Sequence, residues 1–301
     1  MSDPLTLLCV HPHPDDESIA CGGVLAAAPS QGIRPVVVTC TGGEEGENLS
    51  GIDLGDEDLV SHRRRELADA LAALGVVDHH ELGYRDSGMI DTPGNGHLDS
   101  FHAADLEEAA TRLAAIIRAE RPQVVVSDDE QGTYGHPDHV KANRVTIRAV
   151  EVAADPDAPV DGEPWRVAKR YVFTLGRGRL LATHRALRAA GLPSPFGDDD
   201  AASADDLPFG TPDEQITTEV DVGPWMDRKR AALAAHRSQI GPESFFLNLP
   251  ADLASGVFSV EQFVLEAGDV AGDRRPDAGR GPVERDLFEG LRGSEALRAE
   301  H

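Results

Sequence analysis

LTLLCVHPHPDDE, residues 5–17, decides the fold. Leu5 to Val10 are apolar apart from Thr6, with no regular polar alternation, the pattern of a strand buried on both faces in a parallel sheet. The run ends abruptly in imidazoles, prolines and carboxylates. A helix tolerates proline only in its first turn, so Pro14 marks a strand-to-helix turn, with a helix predicted from about Glu17 to Pro29. Asp15 and Asp16, adjacent at that turn, must point in different directions: one toward a cation beside His13, the other toward a substrate.

Working outward, the same unit repeats. RPVVVTC (34–40) is a second strand, and Leu59 to Leu74 is a helix that stops at Gly75. His79 to Gly83 is a short strand, Ala103 to Glu120 an amphipathic helix, Gln123 to Ser127 another apolar strand and Pro137 to Ala154 the next helix. Strands alternating with helices imply right-handed crossovers and a Rossmann-like three-layer α/β/α sandwich with a mostly parallel sheet. Beyond Ala154 the pattern loosens into a smaller α+β portion. Strands are predicted at Arg170–Leu175, Ile216–Val220 and Val257–Leu265, with a helix from about Pro224 to Gln239 and an acidic, irregular insertion from Leu192 to Pro212. The resulting division is a catalytic core at 1–154, a pocket-completing portion at 155–267 and a mobile tail at 268–301.

The 301 residues carry 28 Lys and Arg against 53 Asp and Glu, a net charge of −25. That balance argues against general affinity for nucleic acid or anionic membrane, both of which need a cationic face. No segment approaches the ~20 apolar residues that span a bilayer, and the expected location is the cytoplasm. Cys9, Cys21 and Cys40 show no CxxC spacing and read as core residues of a reducing compartment. Nothing in the pattern specifies an oligomeric state, and a homo-oligomer is compatible with it.

A second His/Asp cluster follows the strand ending at Ser127. Tyr134-Gly135-His136-Pro137-Asp138-His139 again sets a proline where a helix begins. Either cluster alone reads equally well as a capping turn. Together, at strand ends on one side of a parallel sheet, they can converge. His13, Asp16 and His139 then supply the two-His, one-carboxylate set that catalytic zinc takes, with one position open for water. Iron(II) or another divalent ion suits the same donors. An imidazole or phenol nearby, from His136 or Tyr134, can stabilise a developing oxyanion.

HPDDE at 13–17 with HPDH at 136–139 resembles the LmbE-like or PIG-L family of zinc-dependent N-acetylglucosaminyl deacetylases, over most of the chain up to about residue 265. The likeness leans to the actinobacterial branch, which includes the mycothiol-pathway deacetylase and the mycothiol S-conjugate amidase. The resemblance implies one zinc per chain on His13, Asp16 and His139, and Asp15 as the base that takes a proton from the zinc-bound water. It implies His136, oriented by Asp138, as the group that stabilises the tetrahedral intermediate or donates a proton. Glu47 and Asp86 are implied sugar-hydroxyl contacts. The RxxEL pattern at Arg63, Glu66 and Leu67 implies that Arg63 reaches substrate, and KRAALAAHRSQ (229–239) places His236 over the site. Each has a plain structural reading as well: a solvated acidic loop, a buried Asp-Ser turn, a surface arginine face, a structural helical histidine. Phe245 and Phe246 read as core or as an apolar pocket wall.

The implied function is metal-dependent removal of an acetyl group from a small N-acetylglucosamine-containing molecule such as N-acetylglucosaminyl-inositol. The alternative within the family is amidase cleavage of a glucosaminyl-cysteinyl amide. The alternative from another class is a non-catalytic Rossmann-like binding module, which the joint presence of His13, Asp15, Asp16, His136 and His139 speaks against.

Overall fold

The computed structural model describes residues 4–195, 203, 207, 209–269 and 284–292. Strands β1 (Leu5–His11), β2 (Ile33–Thr41), β3 (Asp78–Tyr84), β4 (Val124–Ser127), β5 (Lys169–Thr174), β6 (Thr218–Asp221) and β7 (Val260–Ala267) form one sheet in the order β3-β2-β1-β4-β5-β7-β6. The first five are parallel, and β7 and β6 close the far edge as antiparallel strands. The helices are α1 (Asp16–Ala20), α2 (Gly22–Ala27), α3 (Leu59–Leu74), α4 (Leu106–Glu120), the single turn α5 (Gly132–Gly135), α6 (Pro137–Ala154), α7 (Arg177–Ala189), α8 (Met226–Ala235) and α9 (Ala251–Phe258).

The layers follow from β1, whose residues alternate between two cores. Leu7 and Cys9 pack with Leu25 of α2, Leu71 of α3 and Ala232 of α8. Leu8 and Val10 pack on the other side with Leu113 of α4 and Val145 of α6. β1 is central, with β2 on one side and β4 on the other, so the strand order reverses there. Open α/β sheets bind ligands at the carboxyl end of that reversal. Asp58 caps α3 by accepting from Ser61 N, and Gly75 ends it with φ 80°.

Several sequence expectations are corrected. The helix expected over 17–29 breaks at Cys21 (φ −124°) into α1 and α2. The helix expected to reach Gln239 ends at Ala235, and His236 leaves helical geometry with ψ 55°. Residues 177–189 and 251–258, without a helix in the sequence reading, are α7 and α9. The last strand starts at Val260 because Val257 and Phe258 complete α9. Residues 284–292, assigned from sequence to a mobile tail, are docked: Glu284, Leu287 and Phe288 are buried. The rest of the expected tail, 270–283 and 293–301, lies outside the described residues, as does most of the acidic stretch 196–206.

Candidate active site

The first functional turn is built under strain. Asp15 sits at φ 129°, ψ −29°, a conformation that costs a non-glycine residue about 1–3 kcal/mol and persists only where the surroundings enforce it. Its backbone N–H donates to Glu17 Oε2 at 3.0 Å, and Arg63 Nη2 donates to Pro14 O at 2.7 Å and to Asp15 Oδ2 at 3.3 Å. Arg63 Nη1 also holds Gly43 O at 3.1 Å, tying the β2 loop to the β1 turn. Gly43 (φ 73°) leaves the room for this, since a Cβ there would collide with the guanidinium. Burial pushes the Asp15 carboxyl up to about 6, against the pull of Arg63. Such a carboxyl is poised to take and return a proton near neutral pH.

The second turn brings two more imidazoles, His136 and His139, beside His13. His136 caps α6, its Nδ1 accepting from Asp138 N at 3.1 Å. The acceptor role of Nδ1 puts the proton of the neutral ring on Nε2. Burial, reinforced by His13 and His139, lowers His136 to about 4. The expected orientation of His136 by Asp138 therefore runs through the backbone. The Asp138 carboxylate turns instead to Ser87, accepting from Oγ at 2.5 Å and N at 2.8 Å, and stands 3.4 Å from His13 Nε2. Tyr134 is half-exposed beside the cluster, its ring centroid 5.3 Å from that of His139.

His13 lies between two sets of carboxylates. Its Nε2 is 3.4 Å from both Asp86 Oδ1 and Asp138 Oδ2, and its Nδ1 is 3.3 Å from Asp16 Oδ2. Asp16 Oδ2 is also 3.5 Å from His139 Nε2. Burial alone would raise the Asp16 carboxyl; His139 and His13 beside it outweigh that and hold it well below the usual carboxylate range. Asp86 is fixed by accepting from Gly88 N at 2.8 Å and Glu45 N at 3.3 Å.

The residues present fit a metal ion. Ligating atoms of His13, His136 and His139, and of His13, Asp86 and Asp138, lie within 4.8 Å of one another, so a buried His/Asp group able to hold a metal exists. His139 Nε2 is buried without a hydrogen-bond partner, while its Nδ1 is bound to Asp128 Oδ1 at 2.7 Å. A carboxylate on one nitrogen and a bare lone pair on the other is how metal-ligating histidines are oriented. Asp128, which holds His139 in this way, reads in the sequence only as part of an Asp-Asp-Glu run. Its signal was available: it is the first residue after a buried strand, on the same side as His13.

Two expected substrate contacts are not brought to the site. Glu47 is exposed, and only its backbone oxygen is engaged, by Gln239 Nε2 at 2.8 Å; Glu45 lines the cavity instead. His236 is 0 % exposed, and its Nε2 donates to Glu17 Oε1 at 2.8 Å. It is a pillar beneath the Asp15 turn. Glu66 of the RxxEL stretch is likewise structural, accepting from Ser238 N at 2.8 Å and Ser238 Oγ at 2.6 Å. Arg63 and Asp86 do line the cavity, which encloses about 580 Å³. Its other wall is apolar, with Phe173, Leu180, Phe245, Phe246 and Phe258.

The profile of the PIG-L family, GlcNAc-PI de-N-acetylase, matches residues 8–150, which span both histidine turns. A relative from Thermobispora bispora, named 1D-myo-inositol 2-acetamido-2-deoxy-alpha-D-glucopyranoside deacetylase, is 45% identical over 95% of this chain and 98% of its own. The chain belongs to the PIG-L family. A protein of the same name from Acidothermus cellulolyticus is 45% identical over 95% of both chains. Among solved structures, a conserved protein of Thermus thermophilus superposes with TM-score 0.56 at 26% identity, over 88% of this chain and 96% of that one. The N,N'-diacetylchitobiose deacetylase of Pyrococcus horikoshii shares the fold with TM-score 0.53 at 21% identity, over 83% and 73%. No helix among the described residues is long and apolar enough to cross a membrane.

Proposed function

We propose that this PIG-L member hydrolyses the acetamide of an N-acetylglucosaminyl-inositol, releasing acetate and the free 2-amino sugar. The reading is carried by Asp15 and His136 flanking the buried His13 and His139 and the partly buried Asp16, in a chain 45% identical to relatives named for that reaction. His13, Asp16 and His139 are the residues that would hold a divalent ion, with zinc the ion their chemistry suits best. When bound, such an ion supplies Lewis acidity toward the amide oxygen and makes neighbouring water more acidic.

The chain's own residues do the rest. Asp15 accepts the proton of the attacking water and returns it to the sugar nitrogen as the C–N bond breaks, so the amine leaves neutral. Arg63 holds the Asp15 carboxylate in place from the β2 side. His136 Nε2–H donates to the oxygen on which negative charge develops, with Tyr134 beside it at the rim. Asp86, on the cavity floor, is placed to accept from a sugar hydroxyl.

The apolar wall favours a second reading, in which a larger conjugate enters and its glucosaminyl-cysteinyl amide is cut. Incubation with N-acetylglucosaminyl-inositol and with mycothiol S-conjugates separates the two. Acetate release from the first, without cleavage of the second, is expected; the reverse result overturns the deacetylase assignment. Metal removal by chelation is expected to abolish turnover, and a divalent ion to restore it. Asp15→Asn is expected to keep its metal and lose about 10²–10⁴-fold in kcat. Loss of metal with unchanged turnover per remaining ion would refute the proton-transfer role.

A further inference from the structure

A second group of ligating side chains lies outside the machinery above. Cys9 and His11 are two apart on β1 and so face the same side of the sheet. Cys21, at the break between α1 and α2, meets them, and one ligating atom from each of the three lies within 4.8 Å of the other two. Cys9 and Cys21 are 0 % exposed and His11 is 1 % exposed. Packing alone accounts for two buried thiols, which behave as small apolar groups. It does not account for His11, because both of its ring nitrogens are buried with no hydrogen-bond partner. Buried polar groups are nearly always satisfied, and an orphan of this kind costs stability.

We propose that Cys9, His11 and Cys21 form a second metal site for a thiophilic divalent ion of the zinc class. Cys₂His is an established three-residue zinc set, with the fourth position taken by water or another small ligand. Zn–S bonds of ~2.3 Å and Zn–N bonds of ~2.0 Å set tetrahedral ligand atoms roughly 3.5–3.8 Å apart, so closure from separations within 4.8 Å asks for side-chain displacements of no more than about 1 Å. Charge favours a divalent ion over copper(I). Two thiolates, one neutral imidazole and a dipositive ion sum to zero, the least costly total in a dry core, whereas copper(I) leaves a net negative charge. The His/Asp cluster of the active site contains no sulfur, so the two sites differ in a property that can be read directly.

Cobalt(II) provides the test. The metal-free chain is loaded with excess cobalt(II) under anaerobic conditions in two ways: as the folded protein, and during refolding from denaturant so that burial does not bar entry. The expected result is two equivalents retained after desalting, with a near-ultraviolet thiolate-to-cobalt charge-transfer band. Cys9→Ser/Cys21→Ser is expected to retain one equivalent and lose the band. Wild-type chain that retains one equivalent and shows no such band by either route overturns the proposal, and leaves the thiols as packing residues or as a thiolate–imidazolium pair with His11. Extra equivalents without the band count against it equally, since they bind elsewhere. The wild-type spectrum decides the matter even if the double variant fails to fold.

Discussion

The two nitrogens of His139 have opposite duties: Nδ1 is bound to Asp128 at 2.7 Å, and Nε2 is left bare beside Asp16. The ring is useful as a ligand only while that division holds. Asp128→Asn is expected to weaken metal affinity about 10- to 100-fold while leaving the fold intact, read by competition against a chromogenic chelator. Unchanged affinity would show that α6 packing alone sets the ring. At this scale the sequence was informative wherever proline fixed the local geometry. Pro14 and Pro137 pin His13, Asp16, His136 and His139 to known positions in their turns, and the structure brings those four together. Arg63 is harder to read because the groups it binds, on Pro14, Asp15 and Gly43, are remote in sequence, and Asp128 because nothing within its acidic run sets it apart. An Asp-Asp-Glu run and an Arg-Arg-Arg run look like solvated surface until the fold brings one member of each under it.

At the scale of elements, α1 rests on α8 through one buried pair. His236, just past α8, donates to Glu17 of α1, and Glu17 in turn accepts from Asp15 N. The sequence reading set His236 over the substrate; its complete burial makes it a support. Two outcomes distinguish these roles. His236→Ala is expected to cost about 3–5 kcal/mol of stability by stranding the Glu17 carboxylate, and to change KM little in the fraction that stays folded. A large rise in KM with unchanged melting behaviour would restore the substrate role. Elements with strong periodicity and clear stops, such as α3 between Asp58 and Gly75, were legible to the residue. α7 and α9 were not: α7 mixes four arginines with its apolar residues, and the apolar end of α9 runs straight into β7, where helix and strand patterns cannot be separated by periodicity.

For the whole molecule, the docked segment 284–292 completes the far edge of the sheet. Glu284 is fully buried, accepting from Lys169 Nζ at 2.6 Å, Tyr171 Oη at 2.7 Å and Thr218 Oγ1 at 3.0 Å. It joins β5 to β6 from outside the sheet. Glu284→Ala is expected to destabilise the chain by about 3–5 kcal/mol, measured by denaturant unfolding, because it leaves the Lys169 ammonium buried without its carboxylate. A change within about ±0.5 kcal/mol would mean the segment is dispensable. Composition hid this anchor. The Gly/Asp/Arg-rich stretch before it reads as tail, and only the pairing partners, the nearest of them 66 residues upstream, give Glu284 a reason to be buried.

The long reach of these pairs has a consequence in time. Glu17 is 219 residues from His236, and Glu66 is 172 from Ser238, so the part of the support that lies beneath the Asp15 turn comes from the last third of the chain, whereas Arg63 is already at hand. Contacts of such separation form late, after the loop-closure entropy has been met. During synthesis the HPDDE turn emerges early and waits. A nascent chain that has not yet delivered His236 holds its carboxylates in a partly supported turn. Catalytic competence therefore depends on segments from both ends of the chain, with Arg63 and His236 bracing the Asp15 turn from different elements.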